Sequence, residues 1–183
     1  MRFILALLLL FPLAALAQTT ENQDTVPKEE ASEPAMTLQR LVAITSALDA
    51  DATVQGNMVQ LTIADVPVLV VADPRADRMR AMVPIRAADG LEPAELMRLM
   101  QANFDTALDA RYAVAQGRLW GVFIHPLSPL KKDQLLSGLA QTVGVALTYG
   151  SSYSGGAVHY GGGDSPRIYK ELLDDLRKKG EEI

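Results

Sequence analysis

Apolar residues recur along this chain first at helical and then at strand spacing, and the order of the two periods predicts an architecture. Leu38, Leu41, Val42, Thr45 and Leu48 fall at three- and four-residue steps behind Thr37, a good capping residue, so a helix is expected over 38–49. Gly56-Asn57 breaks the chain, and Val59, Leu61 and Ile63 then alternate with Gln60 and Thr62 in the period of a half-buried strand. A turn at Ala64-Asp65 and Pro67 follows. Residues 68–71 form an unbroken apolar run bounded by Asp73-Pro74, which suits a more buried strand. Met79, Ala81, Val83 and Ile85 alternate with Arg78, Arg80 and Arg86, and three strands with short connections read as an antiparallel meander.

Gly90 ends the meander, and Pro93 fits the first turn of a second helix, where a missing N–H costs nothing. Leu96, Leu99, Met100, Phe104, Ala107 and Leu108 mark one face of that helix up to about Asp109. Residues 112–115 and 118–124 are apolar-rich strands around Gln116-Gly117, the composition of a tight hairpin. Ser128-Pro129 supplies a cap and a first-turn proline for a third helix, carrying Leu130, Leu135, Leu136, Leu139, Val143 and Leu147 and reaching about Tyr149. Six of the sixteen residues from 150 to 165 are glycine, with serine and tyrosine between them, so a flexible linker is expected there. Ser165-Pro166 then opens a short, strongly charged helix within 166–183.

The order helix, three strands, helix, two strands, helix resembles the type III secretion chaperone fold, of the Tir-chaperone-like and YbjN-like kind. The likeness is carried by Tyr112-Ala113-Val114, by Leu119-Trp120-Gly121-Val122-Phe123-Ile124 and by the Ser128-Pro129 start of the last domain helix, and it covers residues 37–149. The resemblance implies an α+β domain with a twisted antiparallel sheet in the order α-β-β-β-α-β-β-α. It also implies a homodimer whose apolar surface holds an extended segment of a client protein without ATP. Secretion chaperones act in the cytoplasm, whereas this chain carries an export pattern, so the binding mode is what the resemblance transfers.

That export pattern is Arg2 followed by the apolar run 3–16 and the small-residue sequence Ala15-Leu16-Ala17, with polar Gln18-Thr19-Thr20 behind it. Residues 1–17 are expected to be a signal peptide cleaved between Ala17 and Gln18, leaving a periplasmic or secreted protein without a stable membrane anchor, since a span needs about 20 apolar residues. Residues 18–36, with Glu21, Asp24, Lys28, Glu29, Glu30 and Glu33 around Pro27 and Pro34, read as a flexible polar leader. There is no cysteine among the 183 residues, which removes disulfides, thiol catalysis, thiolate metal sites and a cysteine-linked lipid from consideration. Scattered basic residues in a chain of net charge −5 argue against nucleic acid as a partner.

Chemistry-bearing groups are sparse. His125, between Ile124 and Pro126, is near Ser128 and Asp133 in sequence, and a small periplasmic hydrolase using His125 with Ser128 or Asp133 is the enzymatic alternative. No Gly-x-Ser-x-Gly elbow surrounds Ser128 or Ser137, and Gly161-Gly162-Gly163 lacks the lysine of a phosphate loop. His125 and His159 lie too far apart in sequence for a metal pair, so no metal and no cofactor are expected. Arg75, Arg78 and Arg80 around Asp73 and Asp77 read as recognition of an acidic client or as the polar face of an edge hairpin. Trp120 reads as an interface anchor or a core residue. Tyr149, Tyr153 and Tyr160 offer contacts in a third reading, a structural envelope protein acting through its tail. The leading expectation is a non-enzymatic protein-binding module that uses a sheet edge or helix groove, with Val68, Val70, Leu119, Trp120, Leu136 and Leu139 as contacts.

Overall fold

The computed structural model describes residues 33–105, 108–150 and 166–181. In chain order the elements are α1 (Leu38–Leu48), β1 (Thr53–Gln55), β2 (Met58–Ile63), β3 (Val66–Asp73), β4 (Arg78–Ala87), α2 (Pro93–Asp105), β5 (Arg111–Ala115), β6 (Arg118–Pro126), α3 (Lys132–Leu147) and α4 (Pro166–Gly180). The six strands form one antiparallel sheet in the order β1-β2-β3-β4-β6-β5, so the chain passes from β4 through α2 to the far edge before β6 fills the gap. The class is α+β, as the resemblance implies.

Local chemistry accounts for most boundaries. Thr37 caps α1, its hydroxyl accepting the Arg40 N–H at 3.1 Å. Two-residue turns at Ala64-Asp65 (φ 48° and 62°) and Gln116-Gly117 (φ 51° and 68°) take the left-handed geometry that matches the twist of a hairpin. β1 went unread because all three of its residues are exposed and leave no apolar pattern.

The helices share one face of the sheet. Leu41 and Ile44 of α1, with Leu135, Leu136, Leu139 and Val143 of α3, pack on Val59, Leu61, Val68, Val70, Met79, Ala81, Val83 and Phe123. α3 settles closely on β6. A Cβ on Gly138 would stand 2.5 Å from the Phe123 ring, and one on Gly121 would stand 2.7 Å from Val145. At the far side a smaller cluster joins Leu99 and Ala102 of α2 to Tyr112 and Leu119.

Four boundaries differ from the sequence reading. α2 ends at Asp105, short of Asp109, and its buried side is Leu99 and Ala102, while Leu96, Met100 and Phe104 point outward. α3 begins at Lys132, because the Ser128 N–H and hydroxyl both go to the Asp77 carboxylate, at 2.7 and 2.9 Å. The free N–H of Lys132 is instead taken by the Glu33 carboxylate at 2.8 Å, and Met36, 2% exposed, sits in the core with its N–H on the Ser128 carbonyl. The last residues assigned to the leader are thus part of the folded unit.

The fourth difference is α4. Its charges follow one side, but Leu172 and Leu173 are each 8% exposed and Leu176 is 0% exposed, all in the main core. Arg177 reaches Asp133 of α3 at 2.9 Å, and Tyr169 meets Ser137 at 2.9 Å. Of the expected linker 150–165, residues 151–165 lie outside the described residues, as does the signal peptide 1–17. If α4 is part of the core, Leu176→Ala lowers unfolding free energy by about 2–5 kcal/mol, measured by urea denaturation. A loss below about 1 kcal/mol would make α4 an independent appendage.

Candidate functional site

The six contact residues inferred from sequence separate sharply. Val68, Val70 and Leu119 are 0% exposed on the sheet face under the helices, and Leu139 and Leu136 of α3 are 0% and 1% exposed within the same packing, so none of the five presents a surface. Alternation identifies residues that share a face, but in these strands both faces are apolar and the buried one was chosen. Trp120 points the other way, half-buried, with its indole N–H donating to the Ala115 carbonyl at 3.0 Å.

Around Trp120 lies the sheet face that no described helix covers. Register places Trp120 beside Pro84 and Ala113, Val122 beside Met82 and Arg111, and Ile124 beside Arg80. β3 continues the rows with Leu69 opposite Met82 and Val71 opposite Arg80. Leu69, Val71, Met82, Trp120 and Val122 are half-buried, and Ile124 is 53% exposed. An antiparallel sheet with one open face ordinarily alternates apolar inward with polar outward, so a band of six apolar side chains on the outward positions is an exception to that pattern. The sequence carried the signal: a meander strand with an unbroken apolar run, as in 68–71 and 119–124, is apolar on both faces.

A second apolar patch lies on α2. Leu96, Met100 and Phe104 recur every fourth residue with Met97 alongside, at 37%, 52%, 83% and 70% exposure, and Val114 on β5 is 52% exposed. These residues differ from the six inferred, because the helical pattern does not say which of two apolar stripes turns inward.

The sheet edges offer less. At β5 the Tyr112 N–H donates to the Asn103 side-chain oxygen at 2.7 Å and its carbonyl accepts from the Asn103 amide at 3.1 Å, so an α2 side chain occupies the place of a neighbouring strand. Just before β5 the N–H groups of Asp109 and Ala110 both go to Gln141, at 2.7 and 3.1 Å. The opposite edge, β1, is three residues long. β3 and β4 lie inside the sheet, so Arg78 and Arg80 do not belong to an edge hairpin.

The candidate hydrolase groups are engaged separately. The Ser128 hydroxyl donates to Asp77, Asp133 accepts from Arg177, and His125 Nδ1 lies 2.7 Å from the Pro126 carbonyl with its ring stacked on Phe123. No hydrogen bond joins His125 to Ser128 or Asp133 among the described residues. The Ser128 N–H and hydroxyl hold Asp77 below the usual carboxylate range. Tyr149 bonds Glu95 and accepts from Arg86 at 3.2 Å; its phenol is pushed up by burial and by donation to Glu95. Tyr153 and Tyr160 lie outside the described residues. Among the described residues no cluster of three His, Asp or Glu is placed to hold a metal ion, and no helix is long and apolar enough to cross a membrane.

No family model matches this sequence, and no curated protein matches it. Solved structures do. The ExsC-ExsE complex aligns over 61% of this chain and 91% of its own at 13% identity, with a TM-score of 0.47. The Yersinia pestis type III secretion chaperone SycH, solved in complex with a stable fragment of YscM2, aligns over 58% of this chain and 96% of its own at 15% identity, with a TM-score of 0.45.

Asn103→Ala removes the two hydrogen bonds between the Asn103 side chain and the Tyr112 backbone and is expected to cost about 1–3 kcal/mol, read by urea denaturation. It should also increase concentration-dependent association through the opened edge; unchanged stability and association would show that water replaces the side chain. The depressed Asp77 contributes stability that is fully present above the ordinary carboxylate value, about 4, and is lost as pH falls through its lowered folded value. The stability difference between wild type and Asp77→Asn is therefore expected to be level from pH 5 to 7 and to shrink below about pH 4.

Proposed function

We propose that this chain is an exported, non-enzymatic module that binds other proteins without ATP and self-associates as a homodimer. One observation carries the reading: α2 turns four large apolar side chains, Leu96, Met97, Met100 and Phe104, outward on a single helix whose opposite side is already packed. Phe104 at 83% exposure has no described neighbour to shield it, which is a cost a monomer gains nothing from. Two copies of α2 laid across each other would bury the same stripe on both, the self-complementary arrangement of a twofold dimer. Val114 on β5 extends that stripe toward the sheet.

Export rests on the leader pattern of residues 1–17, with cleavage before Gln18 and release into the periplasm or beyond. Non-enzymatic action is supported by the separate engagement of Ser128, His125 and Asp133. The protein partner is supported by two apolar surfaces on one small domain, of which self-association uses one.

Light scattering of the purified protein should give twice the monomer mass. Phe104→Asp should yield a monomer with an unchanged melting temperature, since truncating a central aromatic anchor costs about 2 kcal/mol or more of association, roughly a thirtyfold loss of affinity. A wild-type protein that stays monomeric at tens of micromolar, or a Phe104→Asp variant that still dimerises, would refute the α2 interface.

A further inference from the structure

We infer that the uncovered sheet face is a docking site for an amphipathic helix of a partner protein whose apolar stripe is flanked by glutamate or aspartate; this rests on the protein-binding reading above and gives that partner its chemistry. The face has an apolar centre, formed by Leu69 and Val71 of β3, Met82 of β4, and Trp120, Val122 and Ile124 of β6. Apart from Asp73, its charged side chains are arginines. Arg78 and Arg80 stand toward one end of the band, Arg118 at the other, and Arg111 beside Val122 on the β5 side.

Charge on this face runs against that of the chain. The whole sequence has 22 acidic residues against 17 basic ones, yet the outward strand positions carry one carboxylate, Asp73. That carboxylate is turned into its own hairpin, accepting the N–H groups of Arg75 and Ala76 at 2.9 and 3.1 Å. Arg80 and Arg118 have no ion pair among the described residues, and the Arg111 guanidinium donates to the carbonyls of Leu108 and Ala110 at 2.6 and 3.0 Å. Guanidinium groups rimming an apolar band match carboxylates on either side of an apolar stripe. A second copy docked face to face would bring a second set of the same arginines, so charge selects against it.

Backbone chemistry selects the shape. An extended segment gains affinity by pairing its N–H and C=O groups along a sheet edge, and here the β5 edge is occupied at Tyr112 by Asn103 while β1 has three residues. A sheet face offers no backbone partners, so an occupant must satisfy its own, as a helix does. The band spans three neighbouring strands, roughly 10 Å between the outer two, which is about the diameter of one helix.

Trp120 is the sole tryptophan and stands in the band, so its fluorescence reports occupancy directly. The full-length protein would be titrated with two synthetic helices that share one leucine stripe, the first flanked by glutamates and the second by lysines. The glutamate peptide should shift Trp120 emission to the blue and bind at least about tenfold tighter than the lysine peptide, with the preference shrinking in high salt. Arg80→Glu, at an exposed position, should weaken the glutamate peptide about five- to tenfold while leaving the melting temperature unchanged. Equal binding of the two peptides, or binding of neither, overturns the inference. So does a shift produced only by vesicles containing an anionic phospholipid, or one produced by raising protein concentration alone. Dimer mass and its response to Phe104→Asp are read in separate samples, so failure of the α2 interface and failure of the sheet-face site are distinguished.

Discussion

A six-stranded sheet has two faces, and the described helices close one of them. That constraint governs the rest of the molecule. The closed face is filled to the point where Gly138 must lack a side chain to admit the Phe123 ring and Gly121 must lack one to admit Val145. Such close approach fixes the height of α3 over β6, and with it the positions of the leucines that α1 and α4 pack against. The open face is composed of the alternate residues of the same strands, so its apolar character is not an independent feature. The residues next to Val70 and Phe123 in sequence must point away from the helices, and there Leu69, Val71, Val122 and Ile124 are as apolar as the core itself.

The edges of the sheet are handled differently from its faces. β5 is a short strand at the end of the order, with a row of backbone groups facing away from β6. Asn103 meets this liability with one amide that imitates a strand residue, donating and accepting at Tyr112. Gln141 performs a related task at Asp109 and Ala110. Two amide side chains from two helices thus close the edge most open to strand addition and leave apolar side-chain surface as the means of recognition. Selectivity through a face depends on side-chain shape and charge, whereas selectivity through an edge would depend on backbone pairing first.

The element order was legible because each period was clean: four- and three-residue steps at Leu41, Thr45 and Leu48, alternation at Val59, Leu61 and Ile63, and Gln116-Gly117 between two apolar strands. Residues whose partners are distant in sequence were not legible. Ser128 followed by Pro129 reads as a helix cap, but Asp77, 51 positions earlier, takes both its donors and delays α3 to Lys132. α4 reads as a charged surface helix because eleven of its residues between 166 and 180 are not leucine or isoleucine, yet Leu172, Leu173 and Leu176 share one side and find the core. The candidate site was misplaced for a related reason. In Val68 to Val71 and Leu119 to Ile124 the pattern is apolar on both parities, and only the packing of α2 and α3 decides that Leu119 is inside and Trp120 outside.

Net charge was the least informative quantity, because several of the described carboxylates are engaged in the fold's own contacts. Glu33 illustrates how. Partial burial pushes its carboxyl up, but the Lys132 N–H and the Arg40 guanidinium, at 2.8 and 2.6 Å, outweigh that and hold it below the usual carboxylate range. It closes the N-terminus of α3, where a negative charge is favoured by the helix dipole, while Asp77 holds the approach to that helix through Ser128. Asp133 pairs with Arg177 to fasten α4, and Glu95 meets Tyr149 and Arg86 between α2 and α3. Acidic groups placed at element ends and between helices are largely neutralised by contacts that the fold requires. Arg80 and Arg118 on the open face have no ion pair among the described residues, and their charge remains directed at whatever approaches the sheet. An acidic protein can therefore present a basic recognition surface, and the sign of that surface follows from which charges folding consumes and which it leaves.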